Sequence, residues 1–323
     1  SLSHARRGNS QWKMLNKYKI LQIMTRLLTL CIALLAGLSA WSQPAVTQYA
    51  PTASENSLLW EISGNGLTQP SYLFGTIHII AAEDFLLTDS TLAAFNRCKE
   101  VAFEIDMDEM DNIGALLPLL MKAFMRNGTT LRDLLSTEDY NLVKARFSEM
   151  GLPIFMLERV KPMFLSSMLT GQGEDSSSGM ADSKSYEMEL LQLARDADKP
   201  VHGLETAAYQ MSMFDSIPYK AQAEMLVQTL KAAPSENDEM AQMVALYKAQ
   251  DLVGLQEMME GESGVGEYQH LLLDQRNANW IPVMSRMMKD KAVFFAVGAG
   301  HLGGEKGVIA LLRRQGYQMR AIR

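Results

Sequence analysis

Two stretches of this 323-residue chain share one pattern, an apolar strand-like run followed by Gly-x-x-His: Gly75-Thr76-Ile77-His78 and Gly298-Ala299-Gly300-His301. The carboxyl end of a strand is where a sheet exposes side chains to a cleft, and a glycine in the turn lets backbone approach a ligand closely. Imidazole suits Zn, Mn, Fe and Co ions, and a carboxylate such as Glu104 on a neighbouring strand would complete a two-histidine, one-carboxylate set. The alternative is that each histidine ends its strand and hydrogen-bonds the backbone.

Other residues invite weaker readings. Glu205, in His202-Gly203-Leu204-Glu205-Thr206, stands where a strand meets a helix and either caps that helix or faces the cleft. Arg276-Asn277 lies in a helical stretch, where it would hold a substrate carboxylate or oxyanion or serve as an ordinary surface pair. Gly298 to Gly303 also spells G-x-G-x-x-G, but the acidic residue that a dinucleotide site needs about 20 residues further on has no place before Arg323. H-E-x-x-H, G-x-S-x-G, the Walker loop and C-x-x-C are absent, which disfavours zincin, serine-hydrolase, nucleotide-triphosphatase and thioredoxin chemistry. Cys98, between Arg97 and Lys99 at a helix end, reads as an inert thiol, and the 23 methionines are scattered as core filling rather than clustered for copper.

The elements that must position these residues are legible from periodicity. Ser57–Ser63 and Ser71–Thr76 flank a Ser-Gly-Asn-Gly turn and read as a hairpin. Glu100 to Asp106 alternates, with Val101, Phe103 and Ile105 on one face and Ala102, Glu104 and Asp106 on the other, so it delivers two carboxylates to one side. Helical spacings run over Ile113–Met125, Thr137–Met150 and Tyr186–Ala197, with a polar Gly/Ser-rich loop at Gly171–Asp182 and a short strand at Val201–Leu204. The carboxyl-terminal part reads as a helix from Glu267 to Lys289, a strand Ala292–Val297, the Gly-rich turn, a helix Val308–Arg314 capped near Gly316, and a strand Tyr317–Ile322. The fold class is α/β with α+β character: a mixed sheet flanked by helices, with a largely helical middle region.

Residues 1–42 have the form of a secretory leader: Arg6, Arg7, Lys13, Lys17, Lys19 and Arg26 precede the apolar run Leu27–Leu38, and Ala40-Trp41-Ser42 offers a small-x-small exit. Met14 or Met24 would serve as its start; uncleaved, the same run would act as a membrane anchor. Residues 43–323 then form a single domain with no further span. Without the leader, 24 Lys plus Arg face 37 Asp plus Glu, a net charge near −13 that disfavours nucleic acid and anionic membranes as partners. Of the two cysteines, Cys31 leaves with the leader and Cys98 remains without an intramolecular disulfide partner. The expected location is exported, periplasmic or extracellular.

The segments SYLFGTIH, FEID, HGLET with Gln210, Arg276-Asn277 and AVGAGHLGGEKGVIALLRRQGY together resemble the TraB/GumN/PrgY family, which includes the Tiki proteins. The resemblance runs from about Leu58 to Arg323. It implies the mixed-sheet fold shared with erythromycin-esterase-like and ChaN-like proteins, and a metal-dependent peptidase activity in the Tiki branch, with Mn or Co favoured and Zn or Fe also compatible. By motif, His78, Glu104 and His301 would be the metal or catalytic residues, and Arg276 and Asn277 further cleft positions; the Tyr186-Glu187 pair and Glu205 lie in less diagnostic stretches. The implied function is an exported metal-dependent hydrolase of peptides or small molecules, with Glu104 either as ligand or as base and Arg276 on the oxyanion or a peptide terminus. The competing function is a non-catalytic module that sequesters a peptide, haem or metal in the same cleft.

Overall fold

The computed structural model describes residues 48–107, 113–170, 183–231, 236–261 and 268–323, and those from Tyr49 onward form one compact unit. The leader and the Gly/Ser-rich loop at 171–182 lie outside the described residues. No helix among the described residues is long and apolar enough to cross a membrane.

Six strands form the main sheet: β1 (Leu59–Gly64), β2 (Ser71–Thr76), β4 (Glu100–Ile105), β6 (Val201–Glu205), β7 (Val293–Gly298) and β8 (Tyr317–Ile322), in the order β6-β4-β7-β2-β1-β8. A two-stranded ribbon pairs β3 (Ile80–Ala81) with β5 (Ser183–Lys184). The strands β6, β4, β7 and β2 run parallel, while β1 is antiparallel to both β2 and β8, so the sheet is mixed, as expected. The class is α/β.

Burial follows from position in the sheet. β7, of sequence VFFAVG, is central and covered on both faces, and its residues Val293–Val297 are all buried; a doubly covered parallel strand must be apolar throughout. β8 is an edge strand and alternates, with Tyr317 and Met319 buried and Gln318 and Arg320 exposed. Between them the core takes Trp60, Tyr72, Phe103, Trp280 and Ile309.

A second core belongs to the helical middle, built by Thr137–Glu149, Pro162–Thr170 and Tyr219–Lys231 around Leu131, Val143, Phe147, Leu165 and Leu226. Ser136 caps the first of these helices, accepting from the Asp139 N–H at 3.1 Å. The helix expected over Glu267–Lys289 is interrupted: a π-helical turn at His270–Asp274 precedes the regular helix Gln275–Met288. Periodicity alone does not separate a five-residue widened turn from the helix it joins.

Chain connections give the sheet a switch point between β4 and β7. From β4 the chain proceeds outward to β6, and from β7 it proceeds to β8 at the opposite edge. Such a divergence leaves a crevice beyond the carboxyl ends of the two strands, where α/β proteins bind ligands.

Candidate functional site

The two Gly-x-x-His turns lie side by side at that edge, because β2 and β7 are parallel neighbours in the register Gly75↔Val297 and Thr76↔Gly298. Glycine is required at both starting points by close approach. A Cβ on Gly75 would stand 3.0 Å from Leu302 Cδ2 and 3.2 Å from Ala299, and one on Gly298 would stand 3.2 Å from Glu104 Oε1. The Gly298 N–H instead donates to that same oxygen at 2.8 Å.

Glu104, next to last in β4, is thereby fixed at the sheet edge. Its Oε2 accepts from Arg276 Nη2 at 2.5 Å and from Gln210 Nε2 at 3.1 Å. Asp106, expected on the same face, lies beyond the end of the strand. Glu205 ends β6 and faces the same guanidinium: its Oε1 accepts from Arg276 Nε at 2.8 Å, and its Oε2 accepts from Trp280 Nε1 at 3.0 Å. Of the two roles open to Glu205 in the sequence, the structure therefore places it in the cleft. The cap of the following helix, Ala207–Met213, is Thr206, which accepts from the Tyr209 N–H at 3.1 Å.

Arg276 and Asn277 come from the first turn of Gln275–Met288, and both are buried. Arg276 Nη1 donates back to the Leu272 carbonyl of the π turn at 3.1 Å and contacts His301 Nε2 at 3.2 Å. Asn277 Oδ1 lies 2.6 Å from His301 Nδ1, and its amide donates to the Lys306 carbonyl at 3.0 Å. A guanidinium can only donate, so His301 Nε2 is the bare nitrogen and Nδ1 carries the proton toward Asn277. Trp280 covers the imidazole with ring centroids 4.4 Å apart.

His78 is placed differently. The two motifs differ in backbone, since Gly75 and Thr76 still belong to β2 whereas Gly298 ends β7 and Ala299–His301 form a 3-10 turn, and the His301 side chain is buried while that of His78 is 75% exposed. Its Nδ1 meets Glu187 Oε1 at 3.0 Å, and that oxygen also accepts from Thr76 Oγ1 at 2.7 Å. Ser185 Oγ donates to the other Glu187 oxygen at 3.1 Å. Nothing local in the sequence links His78 to Glu187, 109 residues away, although the family resemblance includes the Tyr186-Glu187 pair as a less diagnostic stretch.

Electrostatics separate the groups. Burial alone would raise Glu104, but His301, the Arg276 guanidinium, His78 and the Gly298 N–H outweigh it and hold the carboxyl at about 2. Burial holds His301 down at about 4, against the attraction of Glu104 and aided by the Arg276 and His78 cations. The hydrogen bond to Glu187 brings His78 up to about 9. Burial, with Glu104 nearby, raises Glu205 despite its bonds to Arg276 and Trp280. At neutral pH the buried cluster therefore sets an ionised Glu104 and a neutral His301 imidazole around the Arg276 guanidinium, with Glu205 on the same guanidinium.

The remaining candidates lie outside the cluster. His202 is half exposed near Glu100, 3.4 Å away. His270 lines a cavity of about 370 Å³ together with Gln269, Asp274, Gly303, Gly304 and Asn277. Cys98 is buried at the end of Asp89–Arg97 and its thiol is pushed up to about 12, consistent with an inert role. Gln210 and Trp280 complete the cluster, and neither was singled out for chemistry by residue type.

A model of the TraB/PrgY/gumN family matches residues 58–321. The chain belongs to that family. It is similar to proteins named Metalloprotease TIKI1 from Homo sapiens, at 25% identity covering 90% of this chain and 67% of the relative, and from Danio rerio, at 24% identity covering 83% and 64%. This family member is also 25% identical to a protein from Shigella flexneri named Uncharacterized protein YbaP, over 75% of this chain and 88% of that one. The chain thus spans about two thirds of the length of the named Tiki relatives. No solved structure matches it significantly.

The names of the Tiki relatives suggest a metal ion, and the donor types here suit one. Both imidazoles have Nδ1 engaged by an oxygen, Glu187 for His78 and Asn277 for His301, which is how ligating histidines are oriented through their other nitrogen. Glu104 is anionic at any pH above about 2. The donors are not drawn together around one point, however: among the described residues no three of His, Cys, Asp and Glu are grouped to hold an ion.

Proposed function

We propose that the chain is an exported, peptidase-like hydrolase whose centre is the cleft of His78, Glu104, Glu205, Arg276 and His301. The observation that supports this reading is the register of β2 against β7, which brings the two Gly-x-x-His turns side by side, the second with its Gly298 N–H on the Glu104 carboxylate. The Tiki names support the metal-dependent form of the reading, and the basic-then-apolar leader supports export.

An ion held by His78, His301 and Glu104, with Mn or Co favoured, would lower the pKa of a bound water toward ~7 and polarise a scissile carbonyl. The chain's own groups divide the remaining work. A carboxylate held at about 2 is a poor proton acceptor near neutrality, so Glu104 serves better as a fixed anion than as a general base. His78, at about 9, carries a proton at neutral pH on an exposed ring, and it would lose that proton on holding an ion. Arg276 supplies positive charge to the cleft with four of its five donors hydrogen-bonded within the protein. Asn277 holds the tautomer of His301 and also borders the 370 Å³ cavity, which is the space we assign to substrate.

The test is turnover of a peptide library by the purified full chain with added Mn or Co, beside E104Q and H301A. Cleavage by the parent chain, abolished by a chelator and by both substitutions, is the expected result. Cleavage that persists in E104Q and H301A refutes this centre. Tight peptide binding with no turnover under any condition identifies a binding module instead.

A further inference from the structure

We propose that the Arg276 guanidinium is a built-in cation that competes with a divalent ion for Glu104 and His301, so that Arg276 sets how tightly the cleft takes an ion. The inference rests on the reading of Glu104 and His301 as ion ligands.

The argument is an accounting of lone pairs. Guanidinium has five N–H donors, and in Arg276 four make hydrogen bonds within the protein, Nε to Glu205, Nη1 to the Leu272 carbonyl and His301 Nε2, and Nη2 to Glu104 at 2.5 Å, while Nη2 also stands in ion-pair contact with Glu205 at 2.7 Å. Two of these acceptors, His301 Nε2 and Glu104 Oε2, are atoms an ion would need. The bare nitrogen of a neutral imidazole has one lone pair, and it cannot serve both the Arg276 N–H and a metal. Glu104 Oε2 is shared with Gln210, and Oε1 is taken by the Gly298 N–H, so the carboxylate is largely engaged before any ion arrives.

Charge leads to the same conclusion. Two buried carboxylates, Glu104 and Glu205, face one guanidinium. A divalent cation added beside an unmoved guanidinium would bring like charges together among buried side chains. The arginine is firmly seated, stacked on Trp280 with its guanidinium carbon 5.0 Å from the ring centroid and anchored to the π turn through the Leu272 carbonyl. Loading an ion therefore requires Nη1 and Nη2 to release His301 and Glu104, while the Nε bond to Glu205 can persist as a pivot. Glu205, which sequence left between a cap and a cleft residue, acquires a specific role: it holds the arginine when Glu104 is given up.

The experiment is calorimetric titration of Mn²⁺ into the full chain and into R276Q, R276K and the double variant E104Q/R276Q, with circular dichroism to confirm folding. R276Q removes the charge; R276K keeps a charge but, with three donors, cannot hold Glu104, Glu205, Leu272 and His301 together. The expected result is a Kd for Mn²⁺ roughly tenfold or more lower in R276Q than in the parent chain, a coupling of ordinary size between competing ligands. A decrease in the same direction is expected in R276K, and loss of the tight binding in E104Q/R276Q. An unchanged or raised Kd in R276Q, or in R276K if R276Q does not fold, overturns the competition while leaving the ion reading intact. Absence of Mn²⁺ binding in the parent and every variant overturns the ion reading and, with it, this inference.

Discussion

Glu104→Gln keeps the shape of the side chain and removes its charge, so it measures what the buried carboxylate contributes to the fold. The ordinary value for this group is 4.5 and the folded value is about 2. At 1.36 kcal/mol per unit, the ionised form contributes about 3 kcal/mol. Breaking a buried ion pair by removing one partner costs ~3–5 kcal/mol, and Arg276 here retains Glu205, which favours the lower end. The sign follows from the depressed folded value: the contribution is complete above 4.5 and is lost as pH falls through 4.5 toward 2. His301 adds an acid-labile contribution of its own, because the unfolded chain takes up a proton near 6.5 that the folded chain refuses until about 4. Glu104 is one of the groups that draw a proton to His301, so E104Q also lowers the folded value of His301, and the acid part of the comparison reads the two groups together. Urea denaturation of both proteins from pH 7 to pH 2.5 should show E104Q less stable by about 3 kcal/mol at pH 7, a drop of roughly 6–12 °C in Tm at ~2–4 °C per kcal/mol. The gap should close toward the acid end. A gap of the same size at pH 3 and pH 7 would refute the electrostatic account and assign the effect to altered packing.

Other perturbations probe the surroundings. Glu187→Ala should bring the His78 titration, followed by proton NMR, down from about 9 toward its ordinary 6.5, and a titration that stays near 9 would show that the carboxylate is not its cause. Trp280→Phe leaves Glu205 Oε2 without its indole donor in a buried setting; a loss of ~1–3 kcal/mol on urea denaturation is expected, and no loss would mean that water replaces the bond. Cys98 should react with a thiol reagent only as fast as the chain unfolds, and rapid modification of the native protein would contradict its burial and raised thiol pKa.

The legible and illegible parts of this molecule divide by the range of the interactions that make them. β2 and β8 run over the same residues in sequence and structure, β4 and β6 differ by one residue at an end, and β7 is shifted by one residue at both ends, because each is a short apolar or alternating run closed by turn chemistry. The β3–β5 ribbon was not foreseen: two residues on each side carry no periodicity, and its partners lie about a hundred positions apart. The site shows the same division. Glu104, Glu205, Arg276, Asn277 and His301 do converge, and each stands at the end of a strand, in a Gly-rich turn or in the first turn of a helix, which is a local signal. The environment of His78 was not legible, because two identical local motifs give no indication that one imidazole is covered by Trp280 while the other stands at the surface beside Glu187. The hydrogen bonding of Arg276 was likewise invisible, since it depends on partners from β4, β6, the π turn and the second motif at once.

The helical lobe is tied to this centre by one short stretch of chain. Glu205 holds Arg276; five residues on, Gln210 donates to Glu104; five further, Asp215 forms an ion pair with Lys161 at 2.6 Å and accepts from Arg126 Nη2 at 2.7 Å. Lys161 is buried next to the second core, and an ammonium in that setting is tolerated only because a carboxylate meets it. Gln222, also buried, donates to the carbonyls of Phe214 and Ile217 and accepts from the Met163 N–H, fixing the same stretch on both sides of Asp215. The stretch from Glu205 to Asp215 is thus where packing of the helical lobe and charge in the cleft are mechanically joined. Arg276 and Lys161, two buried cations from different parts of the chain, each hold one end of it.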